Sequence, residues 1–66
     1  SDWRPMQVIG SGAKEIRIHV LGEWRVIYVA KLHGAVYVLH SFKKTARKTS
    51  RRDIEIARQR YKQIGG

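Results

Sequence analysis

Arg17, His19 and Arg25 are the residues of this chain best spaced to do chemistry, and the run Lys43-Lys44-Thr45-Ala46-Arg47-Lys48 follows them. In an extended segment Arg17 and His19 lie on one face, and Arg25 joins them if the next segment pairs alongside. Guanidinium groups on rigid strands suit phosphate, because the planar fork grips two oxygens at once. Arg does not give up its proton, so a proton acceptor here has to be His19, His40 or a lysine. His19 is the more suggestive of the two histidines, since basic neighbours favour its neutral, proton-accepting form. A lone histidine such as His40 more often serves structure.

The charge balance agrees with a polyanion as partner. The 66 residues carry a net charge of +9, and residues 43 to 62 hold nine Lys/Arg against two Asp/Glu. Such a patch attracts nucleic acid and holds it through counterion release. Lys43 and Lys44 stand closest to the strands, with Arg47, Lys48, Arg51 and His40 as further RNA contacts. A solubilising loop is the plainer reading of any charge run, and a solvated sheet face the plainer reading of any single arginine. Convergence of the cations on one spot separates the two readings.

Other chemistries fall away. His19, His33 and His40 have no carboxylate or thiol at ligand spacing, so no metal site is expected, and no cofactor. Gly10 and Gly12 precede a strand pattern and not a helix, unlike a phosphate-cradling loop. The absence of cysteine suits a reducing compartment, and the apolar runs are too short to span a membrane. With no charged-then-apolar leader at Ser1 to Met6, a cytoplasmic protein is expected.

The elements that must position these groups are short. One domain is expected over 1–66, with an irregular segment at 1–13, a sheet at 14–42 and a helix at 50–64. Pro5, Gly10, Ser11 and Gly12 punctuate the first segment. From Lys14 the chain alternates, with Ile16, Ile18 and Val20 opposite Glu15, Arg17 and His19. Gly22 and Glu23 form a turn, and Trp24 to Leu32, apolar on both faces, reads as the central strand. His33 and Gly34 lead to a third strand, Ala35 to Phe42. Connections this short cannot carry a parallel crossover, so the sheet is a three-stranded antiparallel meander. Thr49 or Ser50 caps the helix, Ser50 with Asp53 approximates a capping box, and Ile54, Ala57, Tyr61 and Ile64 form its apolar stripe. Gly65 and Gly66 end it. The fold class is α+β, with the helix packed on the sheet. One helix covers one face, so the other face, including Ile27 and Val29, is left to an exposed state, a homodimer or a partner segment.

The string from Glu15 to Tyr61 resembles the RelE/HigB-like toxins of bacterial type II toxin-antitoxin pairs, above all the phage-derived HigB-like branch. The likeness rests on Glu-Ile-Arg-Ile at 15 to 18, Trp-Arg-Val-Ile-Tyr at 24 to 28, the stretch from Val36 through Leu39, His40 and Phe42 to the double lysine at 43 and 44, and the helix pattern from Thr49 to Ala57. It covers residues 14 to 64 and implies a RelE-like fold lacking the usual N-terminal helices. It also implies a metal-independent endoribonuclease that cleaves ribosome-bound mRNA with the RNA's own 2′-hydroxyl as nucleophile, neutralised by a helix-turn-helix antitoxin. In that frame Arg25 falls where the family contacts the scissile phosphate. Arg17 and His19 fall on strand positions that carry basic groups, and Lys43 and Lys44 in the segment that adds another basic contact. Replacing Arg25 by Ala is then expected to abolish toxicity while the fold stands. The alternatives are a non-catalytic nucleic-acid-binding module, an inactive truncated toxin relative, and an interaction protein whose binding is indifferent to salt.

Overall fold

The computed structural model describes residues 2–31 and 33–65, so Ser1, Leu32 and Gly66 lie outside the described residues. Five elements follow in chain order: β1 (Trp3–Pro5), β2 (Ala13–His19), β3 (Glu23–Ala30), β4 (Val36–Lys43) and α1 (Arg51–Gln63). The strands form one antiparallel sheet in the order β1-β2-β3-β4. The architecture is α+β as expected, but the sheet has four strands and not three. The additional strand lies in the segment read as irregular. Pro5 disguises it, yet a proline without an N–H is tolerated on an edge strand. The Arg17 amide donates to the Asp2 carbonyl at 2.8 Å and the Met6 amide to the Ala13 carbonyl at 2.9 Å, which ties this edge down at both ends.

Three residues, Val20 to Gly22, connect β2 and β3, with Leu21 at φ 51° and Gly22 at φ 125°. Glu23, expected in the turn, is already paired with His19. Between β3 and β4 the register shifts: Ile27 faces His40 and Tyr28 faces Val38, which leaves Leu39 as an extra residue. This bulge turns Leu39 into the core, and Arg60 of α1 satisfies its carbonyl at 2.9 Å.

The core cluster consists of Met6, Ile9, Ala13, Ile27, Val29, Leu39, Ala57 and Tyr61, flanked by Phe42, Ile54 and Ile64. Ile54, Ala57 and Tyr61 of α1 and Ile64 just past its end therefore pack as the spacing predicts. The face they pack against is the reverse of the expected one. Ile27 and Val29, expected on the uncovered side, are fully buried beneath the helix, while Ile18 and Val20 point away from it and stay exposed. The cause is polar. Glu15 and Arg25 share the helix-side face and neutralise one another there, so a face that reads as charged is sealed, and the apolar alternation of β2 is left outside.

Ser50 caps α1: its hydroxyl accepts from the Asp53 amide at 3.1 Å and donates to the Asp53 carboxylate at 2.7 Å. Thr49, the other candidate cap, is buried in the network described below. At the far end Tyr61 donates to the Ser11 carbonyl at 2.7 Å, its ring lying over Gly10 where a β-carbon would collide with it. Among the described residues no helix is long and apolar enough to cross a membrane.

Candidate nucleic-acid interface

The pairing of β2 with β3 sets Arg17 directly opposite Arg25 on one face of the sheet. Two like charges in register repel, and the structure resolves this by giving them different surroundings. Arg25 is only 4% exposed. It donates to the Thr49 hydroxyl at 2.9 Å, to the Ala46 carbonyl at 3.3 Å and to the Arg47 carbonyl. Thr49 in turn donates to Glu15, and Arg4 reaches the other oxygen of Glu15 at 3.2 Å and the Thr49 hydroxyl at 3.3 Å. Four side chains from β1, β2, β3 and the loop before α1 thus form one network that folds residues 46 to 49 down onto the sheet.

Arg17 remains outside this network. Its guanidinium lies 3.6 Å from Asp2 Oδ1, and His19 Nε2 lies 3.7 Å from the same oxygen. The other ring nitrogen of His19 contacts the Glu23 carboxylate. A cleft of about 290 Å³ opens here, lined by Arg4, Arg17, Arg25 and Arg47 together with Asp2, Trp3 and Glu15. Its arginines outnumber its carboxylates by four to two, and it is open enough for a backbone phosphate to enter.

Comparison with known proteins places the chain. Residues 1–62 match the family described as Phage derived protein Gp49-like (DUF891). The chain belongs to this Gp49-like family. No curated protein and no solved structure matches it. The match takes in the network, all the cleft residues and α1 as far as Lys62.

In this Gp49-like chain the residues singled out from sequence separate into three places. Arg17, Arg25 and Arg47 gather at the cleft, with His19 two residues beyond Arg17 on the same strand face. Lys43 stands opposite Trp24, so it belongs to the other face of the sheet. Lys44 extends the ladder through its amide, 2.8 Å from the Glu23 carbonyl, and Lys48 is exposed in the loop. Arg51 borders a separate hollow of about 400 Å³ with Val8, Ile54 and Arg58. His40 joins β4 to the start of α1, 2.8 Å from Asp53 and stacked on Phe42 at 4.9 Å between ring centroids. Partial burial pushes the Asp53 carboxyl up, but the hydrogen bonds from Ser50 and His40 and the charges of His40 and Arg52 outweigh this, and it titrates below its ordinary value.

Arg4, Asp2 and the Glu15–Thr49 pair escaped the sequence reading. Arg4 lies in a segment that reads as irregular, and Thr49 reads only as a cap. Glu15 did carry a signal: it alternates with Arg17 on one strand face, where a carboxylate beside arginines acts as a clamp. Among the described residues no group of three or more His, Asp or Glu side chains could hold a metal ion.

Proposed function

We propose that this Gp49-like protein is the toxin of a type II toxin-antitoxin pair and cleaves messenger RNA, in the manner of the RelE/HigB-like toxins it resembles. Membership supports the broader half of this reading, since the Gp49-like family is associated with such toxins. The single observation that carries the finer half is the approach of Arg17 and His19 to one carboxylate oxygen of Asp2. A side-chain carboxylate at that point marks where a phosphate oxygen would sit between a fixed cation and an imidazole.

Each group then has a role. Arg17 and Arg47 hold the phosphate and stabilise the charge that builds on it as the 2′-hydroxyl attacks. His19 Nε2 takes the proton of that hydroxyl, and Glu23 on the other nitrogen fixes the ring's orientation and tautomer. The bond from phosphorus to the 5′-oxygen breaks, that oxygen takes a proton from water, and the proton carried by His19 neutralises the hydroxide so formed. The products are a 2′,3′-cyclic phosphate and a 5′-hydroxyl. Arg25 is a positioning residue, because its two terminal nitrogens bind Thr49 and two loop carbonyls, and through them it presents Arg47. The substrate is mRNA on the ribosome, the compartment the cytoplasm, and a helix-turn-helix antitoxin the neutralising partner.

A second reading has an observation of its own. Both ring nitrogens of His19 face carboxylates and Glu15 is fully engaged, which favours a module that holds nucleic acid without cutting it. Inducing the protein in bacteria and mapping mRNA 5′ ends separates the two. New 5′-hydroxyl ends that vanish in Arg17→Ala and His19→Ala support cleavage. Salt-sensitive RNA binding with no new ends supports the binding module and ends the nuclease reading.

A further inference from the structure

Among the described residues no element packs on the face of the sheet turned away from α1. Ile16 and Ile18 of β2, Trp24, Val26 and Tyr28 of β3 and Val38 of β4 form a continuous apolar surface there, with Ile18 39%, Trp24 40% and Val38 63% exposed. A sheet buries its apolar face against a second element, and an uncovered patch of this kind is the mark of an interaction surface.

The charges around the patch say what fits it. Lys14 lies over the Trp3 ring at 5.0 Å at one margin, and Lys43 stands beside Trp24 at another. Among the described residues no carboxylate shares this face: Glu15 and Glu23 lie on the cleft side with Asp2, and Asp53 and Glu55 are on α1. A second copy would bring lysine against lysine and one chain of net charge +9 against another. A negatively flanked partner gains from the same arrangement. Four strands at ~4.8 Å spacing give a surface ~15 Å wide, which suits a helix ~10 Å across, whereas an added strand would need an edge.

We infer that this open face docks an amphipathic helix of a second polypeptide, apolar along its buried side and acidic along its flanks. The surface lies on the opposite side of the sheet from the arginine cleft and does not depend on what the cleft does. Because Trp24 stands on it, with Trp3 at the margin shared with the cleft, occupancy is visible in the protein's own fluorescence.

The test uses the whole chain and two synthetic helical peptides with an identical leucine stripe, one flanked by glutamates and one by lysines. The glutamate-flanked peptide is expected to saturate the protein and shift tryptophan emission to the blue, with the lysine-flanked peptide at least tenfold weaker. Val38→Glu and Lys43→Glu should each weaken binding tenfold or more, and Arg17→Ala should leave it unchanged. If Val38→Glu fails to fold, as judged by circular dichroism, Lys43→Glu decides alone. Equal binding of the two peptides, absence of binding, or loss of binding in Arg17→Ala would overturn the inference. So would a dimer of the protein alone, seen in sedimentation and dissolved by Lys43→Glu. Loss of RNA cleavage with peptide binding intact would bear on the proposed function and leave this surface standing.

Discussion

The Arg25 guanidinium holds the Thr49 hydroxyl at 2.9 Å from beneath, and this contact fixes the loop that carries Arg47. A residue in that position cannot be removed to ask a catalytic question alone. Arg25→Ala takes the donor from the Thr49 hydroxyl and from two loop carbonyls and leaves the buried Glu15 to Arg4, at a cost of about 1–3 kcal/mol for each buried group stranded. For a chain of this size that is comparable to its whole stability of about 3–10 kcal/mol. Thermal unfolding by circular dichroism should show Arg25→Ala largely unfolded. Thr49→Val, which takes a hydrogen-bond partner from Arg25, Glu15 and Arg4, should lose about 1–3 kcal/mol. The expectation that Arg25→Ala keeps the fold is thereby revised.

Arg17→Ala and Arg47→Ala are the informative substitutions, because both side chains stand in solvent. Stability should change by no more than about 0.5 kcal/mol. Fluorescence anisotropy with a single-stranded RNA oligonucleotide should show weaker binding, and the slope of log affinity against log salt should fall by about 0.7 for each phosphate contact removed.

Asp2 competes with RNA for the same two cations. Asp2→Asn removes that competition and should tighten RNA binding at low salt by about fivefold, the equivalent of about 1 kcal/mol for one ion pair in water. The gain should fade as salt rises, so a gain that persists at high salt would show that Asp2 acts in some other way.

The acid limb of stability should carry the signature of Asp53. Its carboxyl is held below its ordinary value, so its contribution is complete above that value and is lost as pH falls through the lower folded-state value. Asp53→Asn should therefore lower the melting temperature at neutral pH and flatten its decline below about pH 4. An unchanged acid limb would show that the contacts with His40 and Ser50 contribute nothing.

Much of this was legible from residue order alone. Short connections dictated the antiparallel meander, and the 3.6-residue spacing of Ile54, Ala57, Tyr61 and Ile64 gave the buried stripe of α1. Strand parity let Arg25 share a face with Arg17, but their direct opposition did not follow, because Glu23 reads as part of the turn and instead pairs with His19. Nor did the direction of the core follow. On β2 apolar alternation pointed to Ile16 and Ile18, but Glu15 and Arg25 become mutual partners once Thr49 arrives from a distant loop, and no local pattern encodes that meeting. For the same reason Lys43 and Arg47, four residues apart in one basic run, end on different sides of the sheet: strand parity decides for one, and the carbonyls held by Arg25 decide for the other.

The ring of Tyr61 lying over Gly10, with its hydroxyl on Ser11, acts as a buckle between the opening loop and the closing helix. A hydrogen at position 10 and an aromatic at position 61 are two halves of one fastening. Neither site is free to drift by itself, and a bulkier residue in the loop demands a slimmer one on the helix in return.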